Sequence, residues 1–316
     1  MPKILAITGG VGGAKLALGL AKVLSPDEVM FAVNVGDDFE HLGLHISPDI
    51  DSLTYALAEE NNQELGWGRV GETWQFIQTL GSLGGEDWFR LGDKDLALHM
   101  RRRSLLDQGM TLSEVTNEIC QRMHIAHRVA PISNEPIRTV VHCDAGNLPF
   151  QHYFVKAQCQ PRVTGFSFSG IEQATLNPVI TSWLEDCDGI IICPSNPFVS
   201  VAPVLEVPGM LEAISGIPTI AVSPIVNGIA IKGPAAKMMS ELQMPASATA
   251  VAEHYGELLQ GFVLDEEDKD KVDQIGVPAI AVDSVMVTLE DRVALAHDCI
   301  SFLGSIAGRA SRSGQH

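Results

Sequence analysis

Residues 3–20 read KILAITGGVGGAKLALGL, and the order of their residue types decides the fold. The apolar run KILAI reads as a buried strand, and Leu16, Leu20 and Leu24 then recur at i, i+4 as on one face of a helix. Between strand and helix lies a turn with four glycines. Glycine this dense costs chain entropy and adds no packing, so its place needs a reason. A turn between a first strand and a first helix is where phosphate oxygens meet bare N–H groups and the positive end of the helix dipole. Gly9, Gly10, Val11, Gly12, Gly13 and Lys15 are therefore candidate phosphate contacts. The spacing is not that of G-x-x-x-x-G-K-[ST], because Ala14 replaces its last glycine and Leu16 follows Lys15. Nor is it G-x-G-x-x-G, since Lys15 stands at the third glycine position. A tight structural turn is the alternative; position favours phosphate.

Further strand-like runs extend the pattern outward: VMFAVNV (29–35), GIIIC (189–193) and PTIAV (218–222), the last two bounded by Gly, Pro and Ser. Short continuous apolar runs suit strands buried on both faces of a parallel sheet. PVITSWLEDC (178–187) and VPGMLEAIS (207–215) read as intervening helices. Alternation of this kind implies a three-layer, doubly wound, mainly parallel α/β fold of Rossmann-like type. The middle differs. IDSLTYALAEE, ETWQFIQTL, KDLALHMRRRSLL and TLSEVTNEICQRM are helical in period, and Thr111 with Glu114 forms a capping-box pattern. Residues 1–50 and 136–316 thus form the expected core, with 51–135 as a mostly helical insertion. Within the core, PIRTVVH, FQHYFVKA and RVTGFSF (136–168) read as strands, and the polar tail GRASRSGQH is expected to fray.

Composition sets bounds. The 316-residue chain carries 21 Lys and Arg against 39 Asp and Glu, a formal net charge of −18. That surface repels nucleic acid and anionic lipid but leaves room for a small phosphorylated ligand held locally. No apolar run approaches the ~18 residues of a membrane span. Six cysteines without a C-x-x-C pair, and no signal-peptide pattern, read as reduced thiols of a cytoplasmic protein.

The second strand runs into NVGDDFEHLGLHISPDIDS (34–52). Adjacent Asp37 and Asp38 beside a phosphate turn would repel each other unless a divalent cation lay between them and the ligand, and Mg²⁺ suits such a set. Turn chemistry is the alternative, and for Asp49 helix capping is the expected role. The loops PSNPFVSVAP and SPIVNG follow two more strands, so Asn34, Ser195, Asn196, Ser223 and Asn227 should line the same rim as binding groups or loop caps. In MRRR (100–103), residues ~100° apart cannot share a face, so a solvated face is expected for most of the run. Asp95 and His99 are spaced for a helix-surface pair. Trp67 and Trp74 are candidates for ring stacking or packing, and Lys232 for phosphate or for capping.

Taken in order, GGVGGAKLALGL, NVGDD, LHISPDIDS, LGDKDLALHM, PSNPFVSVAPVLEVPG and AVSPIVNGIAIKGPAAKMM resemble the 2-phospho-L-lactate transferase family (CofD/FbiA) of coenzyme F420 biosynthesis. The resemblance implies a Mg²⁺-dependent, homodimeric transferase. It would move a group derived from 2-phospholactate, phosphoenolpyruvate or 3-phosphoglycerate from a guanosine diphosphate-linked donor to the ribityl hydroxyl of the deazaflavin Fo, releasing GMP. It places the glycine turn and PSNP at the donor, Asp37 at the metal, and Asp51 and Lys94 at Fo, with the helical insertion serving the acceptor. Asp51 would be a general base or an orienting group. Two positions depart from the pattern: Lys94 where many relatives have arginine, and Asn134 where they have aspartate. A non-enzymatic, YvcK-like sugar-nucleotide sensor is the rival reading. A nicotinamide-dependent dehydrogenase fails on glycine spacing.

Overall fold

Ile4–Thr8 is apolar except at its end and buried at every position, and it lies in the middle of a seven-stranded sheet. The computed structural model describes residues 2–313. The chain opens with β1 (Ile4–Thr8), α1 (Gly10–Val23) and β2 (Val29–Val33), then a hairpin of β3 (Phe39–His41) and β4 (Leu44–Ile46), then α2 (Pro48–Leu57). A helical excursion of α3 (Gln75–Ser82), α4 (Asp93–Asp107) and α5 (Leu112–Arg122) returns to the sheet at β5 (Arg128–Pro131). Strands β6 (Arg138–Cys143), β7 (Gly146–Pro149) and β8 (Val163–Ser169) form a separate antiparallel sheet. The second half runs α6 (Pro178–Leu184), β9 (Gly189–Ile192), α7 (Ala202–Leu205), α8 (Met210–Ala213) and β10 (Thr219–Val222). It continues through the hairpin β11 (Ile225–Val226) and β12 (Ile229–Ala230), then α9 (Ala235–Glu241) and α10 (Ala248–Tyr255). It closes with β13 (Gly261–Asp265), β14 (Ala279–Val282) and α11 (Leu289–Ser313).

The main sheet has the order β14-β13-β10-β9-β1-β2-β5 and is parallel throughout. The chain winds outward from β1 through β2 to β5, then restarts at β9 and winds the other way. The switch point is therefore the gap between β1 and β9, and the glycine turn and the PSNP loop stand at its carboxyl end. A doubly wound sheet binds ligands there. The expected fold class holds.

The domain division needs redrawing at both ends. Ile50, Leu53 and Ala56 of α2 pack into the central core, and β5, inside the interval read as insertion, is an edge strand of the main sheet. What leaves the sheet is the excursion between them: Tyr55, Leu98, Leu105, Val115 and Ile119 form a core of their own. The capping box at Thr111 and Glu114 is present. FQHYFVKA is not a strand. Phe150, Tyr153 and Phe154 are spaced at i, i+3, i+4, and residues His152–Lys156 form a wide helical turn that buries Tyr153 and stacks Phe150 on Phe154, ring centres 5.5 Å apart. The tail also differs from expectation: α11 continues to Ser313, and residues 314–316 lie outside the described part. All six cysteines are unpaired thiols. Among the described residues no helix is long and apolar enough to cross a membrane.

Helices α1 and α11 meet backbone to backbone at Gly19. A Cβ built there would lie 2.1 Å from the carbonyl oxygen of Arg292. Alanine is the better helix former by about 1 kcal/mol, so propensity and packing oppose each other here. Packing is expected to win: Gly19→Ala should destabilise the protein by about 1–3 kcal/mol, read as a lowered urea midpoint. A raised midpoint would mean the two helices part without penalty.

Candidate active site

The glycine turn is tight because three chains of atoms converge on it. Gly12 leaves room for the Pro194 carbonyl oxygen, which a Cβ would meet at 2.5 Å. Gly13 leaves room for the hydroxyls of Thr8 and Ser195, at 2.3 and 2.6 Å. Only Gly10 needs a left-handed backbone, at φ +66°. The PSNP loop can therefore lie directly on the start of α1. Two amides of the turn already have partners: Gly9 N–H donates to Ser195 Oγ at 3.2 Å and Gly10 N–H to Asp49 Oδ1 at 2.7 Å. The next two amides of the first turn, Val11 and Gly12, have no acceptor within the helix, as at any helix N-terminus.

Asp49 was expected to cap α2. It stands in the first turn of that helix, but its carboxylate turns away to Gly10 and to Asn34 Nδ2, 2.8 Å distant. The reason is burial: at 4% exposure a carboxylate needs donors, and the glycine turn supplies one beside a helix N-terminus. Burial still pushes the Asp49 carboxyl up to about 7, with the Asp38 and Asp51 charges adding to it. Asp51, two positions on, turns instead to Arg102. Their opposite aims follow from the helical turn between them.

Asp37 and Asp38 are buried at the end of the loop after β2. Asp38 Oδ2 accepts from Ser47 Oγ at 2.9 Å and lies 3.0 Å from His45 Nε2. Asp37 has only the Asn34 side chain to offset its burial. Burial, then the Asp49 and Asp38 charges, hold its carboxyl well above the usual range. Oδ1 of each is buried without a hydrogen-bond partner. Orphaned carboxylate oxygens of this kind fit a hard cation. Among the described residues no three His, Cys, Asp or Glu side chains converge on one point, so the protein would offer one or two carboxylates and leave the remaining positions to ligand oxygens and water.

The neutral residues of the rim, read as binding groups or loop caps, make cap-type bonds to the protein. Asn34 is fully buried; its Nδ2 also donates to the Val199 carbonyl at 3.2 Å, and its Oδ1 accepts from Gly36 N–H at 2.7 Å. Asn196 Oδ1 caps the turn after PSNP through Phe198 N–H, and its Nδ2 reaches Met238 Sδ at 3.3 Å. Ser223 Oγ closes a turn on Ile225, accepting from its N–H and donating to its carbonyl. Asn227 takes a left-handed backbone and donates its N–H to Asp268. Rigid loops require their polar groups inside, which single residues in a sequence do not reveal.

On the helical side the arginine run splits as its spacing demands: Arg101 and Arg103 are exposed, whereas Arg102 is 1% exposed. Arg102 grips both oxygens of Asp51, Nη1 donating to Oδ2 at 3.1 Å and Nη2 to Oδ1. The solvated-face reading fails for this one arginine, which its place in the run did not set apart from its two neighbours. His99 and Asp95 do pair, 3.2 Å apart, but in the interior: His99 is 1% exposed and Tyr55 donates to Asp95 from the other side. Lys94 stands one residue away, exposed, its Nζ donating to the Val70 carbonyl at 3.0 Å. Asn134 lies elsewhere, accepting from Ser113 N–H and Oγ to hold α5 against the loop after β5. Trp67 is exposed and meets Trp74 edge-on, and Arg90 covers the Trp74 ring at 4.7 Å. Lys15 Nζ donates to the Met286 carbonyl at 2.6 Å.

The family model described as 2-phospho-L-lactate transferase CofD matches residues 4–292. A phosphoenolpyruvate transferase of Streptomyces griseus is 34% identical over 309 residues, covering 94% of this chain and 97% of that one. A 2-phospho-L-lactate transferase of Methanococcoides burtonii is 32% identical over 306 residues, covering 96% and 100%. Among solved structures, a UPF0052-family protein of Bacillus halodurans superposes with a TM-score of 0.61 at 17% identity, covering 95% of this chain and 99% of that one. That likeness concerns the fold alone.

The raised carboxyl of Asp49 has a consequence for stability. An acid whose folded value lies near 7 and whose unfolded value lies near 4 binds its proton more tightly in the folded state, so stability falls as pH rises between those limits. With chelator present, denaturation between pH 4 and 8 should show this fall, at up to about 1.4 kcal/mol per pH unit for one proton. Asp49→Asn should make the fall shallower, leaving the part that the raised Asp37 carboxyl contributes. Equal slopes for the two proteins would remove Asp49 as a source.

Proposed function

The chain belongs to the 2-phospho-L-lactate transferase CofD family, and from that premise we propose which group it moves, and to what. It is a transferase enzyme. The donor is a guanosine diphosphate whose terminal phosphate carries a three-carbon acid derived from phosphoenolpyruvate, 2-phospholactate or 3-phosphoglycerate. The acceptor is the ribityl hydroxyl of Fo, and the product is the glutamate-free form of coenzyme F420. The hydroxyl oxygen attacks the phosphorus that bears the acid and gives up its proton to water, the pyrophosphate P–O bond breaks, and GMP leaves with the bonding electron pair.

One observation carries this reading: at the switch point of the sheet, a glycine turn with two free helix-terminal amides meets a buried aspartate with an orphaned oxygen. The amides of Val11 and Gly12 would receive donor phosphate at the positive end of α1. Asp37, with Asp38 Oδ1, would hold Mg²⁺. Bound there, the ion would neutralise charge building on the phosphoryl oxygens. Asn34, Ser195, Asn196 and Ser223 support the site by keeping its loops rigid, and Asp49 by fixing Gly10. Asp51 orients the acceptor rather than taking its proton, because Arg102 occupies both its oxygens. Lys94, on the same helix as Arg102, presents its charge at the acceptor side while bonded to the Val70 carbonyl. A non-enzymatic sensor reading gains nothing from relatives named as transferases.

The test is direct. Purified protein with Mg²⁺, Fo and each of the three donors in turn should give a phosphodiester product by mass spectrometry with at least one donor. Asp37→Asn should lower that turnover by about 100-fold or more with an unchanged circular dichroism spectrum. No product from any donor would end this reading.

A further inference from the structure

Arg292 is a largely enclosed cation with no ion pair among the described residues, although the Asp291 charge beside it favours its charged form. It stands near the start of α11 at 4% exposure, and its Nε has no hydrogen-bond partner. Among the described residues no carboxylate forms an ion pair with it, and its neighbour Asp291 is turned to the amides of Val287 and Thr288. A guanidinium partly withdrawn from water, with its inner nitrogen unpartnered, gains from an anion that reaches its outer nitrogens.

The packing places that charge deliberately. Gly19 brings the α11 backbone onto α1 at Arg292, and Lys15 lies one helical turn before Gly19 on the same face. Arg292 and Lys15 line one cavity together with Val11, Ser52, Tyr55, Asn62 and Trp67. Lys232 stands at the rim, its Nζ 2.9 Å from where a Cβ on Gly66 would lie. Lys15 feels the crowding: burial, then the charges of Arg292 and Lys232, lower its ammonium from the ordinary value. Among the described residues no Asp or Glu lines the cavity, in a chain whose net charge is −18. Like charges gathered against the sign of the whole molecule mark an oxyanion site.

We infer that this cavity receives the carboxylate of the transferred three-carbon acid, with the planar fork of Arg292 on the carboxylate and Lys15 as the second charge. The inference rests on the proposed donor, and it makes Arg292 a substrate-binding residue at the acid end. A fork suits a carboxylate, though a phosphate would satisfy the same charges. Val11 joins the two parts of the site: its amide belongs to the first turn of α1, and it also lines the cavity.

Trp67 provides a signal from within the lining. The full-length protein, Arg292→Gln and Arg292→Lys would be titrated at fixed ionic strength with lactate, which offers only a carboxylate, and with inorganic phosphate. GDP would be titrated separately with Mg²⁺ by calorimetry. A Trp67→Phe control identifies the fluorescence that belongs to the cavity. Lactate should change that fluorescence in the unmodified protein, with affinity falling about 10- to 100-fold in Arg292→Gln and less in Arg292→Lys. GDP affinity should stay within about twofold, and the donor KM should rise by the same factor as the lactate constant with kcat little changed. Equal lactate affinity in all three proteins would overturn the inference. So would a parallel loss of phosphate and GDP binding, which would assign the cavity to donor phosphate. Failure of the unmodified protein to bind GDP would overturn the proposed function, while the lactate series would still decide the oxyanion site.

Discussion

Four aspartates, Asp37, Asp38, Asp49 and Asp51, lie within fifteen residues of chain, and none is more than 6% exposed. Carboxylates buried this closely repel one another and resent the loss of water, so each must be compensated or neutralised. The surroundings are arranged around that demand. Arg102 comes down from α4 to meet Asp51, which docks the helical excursion onto the sheet. Ser47 and His45 attend Asp38 from the start of α2 and the β3–β4 hairpin. Asn34 and the Gly10 amide hold Asp49. One oxygen of Asp37 and one of Asp38 are left over without a hydrogen-bond partner.

The same arithmetic of charge, with opposite sign, governs the far side of α1. Gly19 lets α11 approach until Arg292 and Lys15 share a cavity that no Asp or Glu among the described residues lines. One helical turn thus separates an acidic face from a basic one. A ligand that carries metal-binding phosphates at one part and a free acid at another matches that polarity, and the amides between them are neutral donors suited to the bridge. Electrostatic arrangement made in advance is the main resource of an enzyme that transfers phosphoryl groups, since little covalent chemistry is asked of the protein.

The glycine turn shows how two explanations of one motif can both hold. Gly12 and Gly13 are bare because Pro194, Ser195 and Thr8 press against them, which is a packing reason. That same pressure is what seats the β9 loop on the helix N-terminus and brings the switch point together. The neutral loop residues follow suit. Asn34, Asn196 and Ser223 turn inward and stiffen the rim, so the convergence of loops is real although these side chains bond to protein.

The sequence by itself determined the strand–turn–helix opening, the winding of parallel strands, the helical character of the middle and the rim on which chemistry gathers. These rest on periodicity and on turn residues, which act over a few positions of chain. It also kept the three arginines of the run from sharing one face, by helix geometry alone, so that no more than part of the run could be buried. Only the tertiary structure decided which arginine was buried, that Asp49 serves the glycine turn rather than α2, that β5 belongs to the sheet, and that Arg292 stands beside Lys15. Each of these is a contact between residues distant in sequence, settled by burial and by the search of buried charge for a partner. A single chain read in order carries no signal for that, because the cost of an unpaired charge exists only once the fold has removed the water.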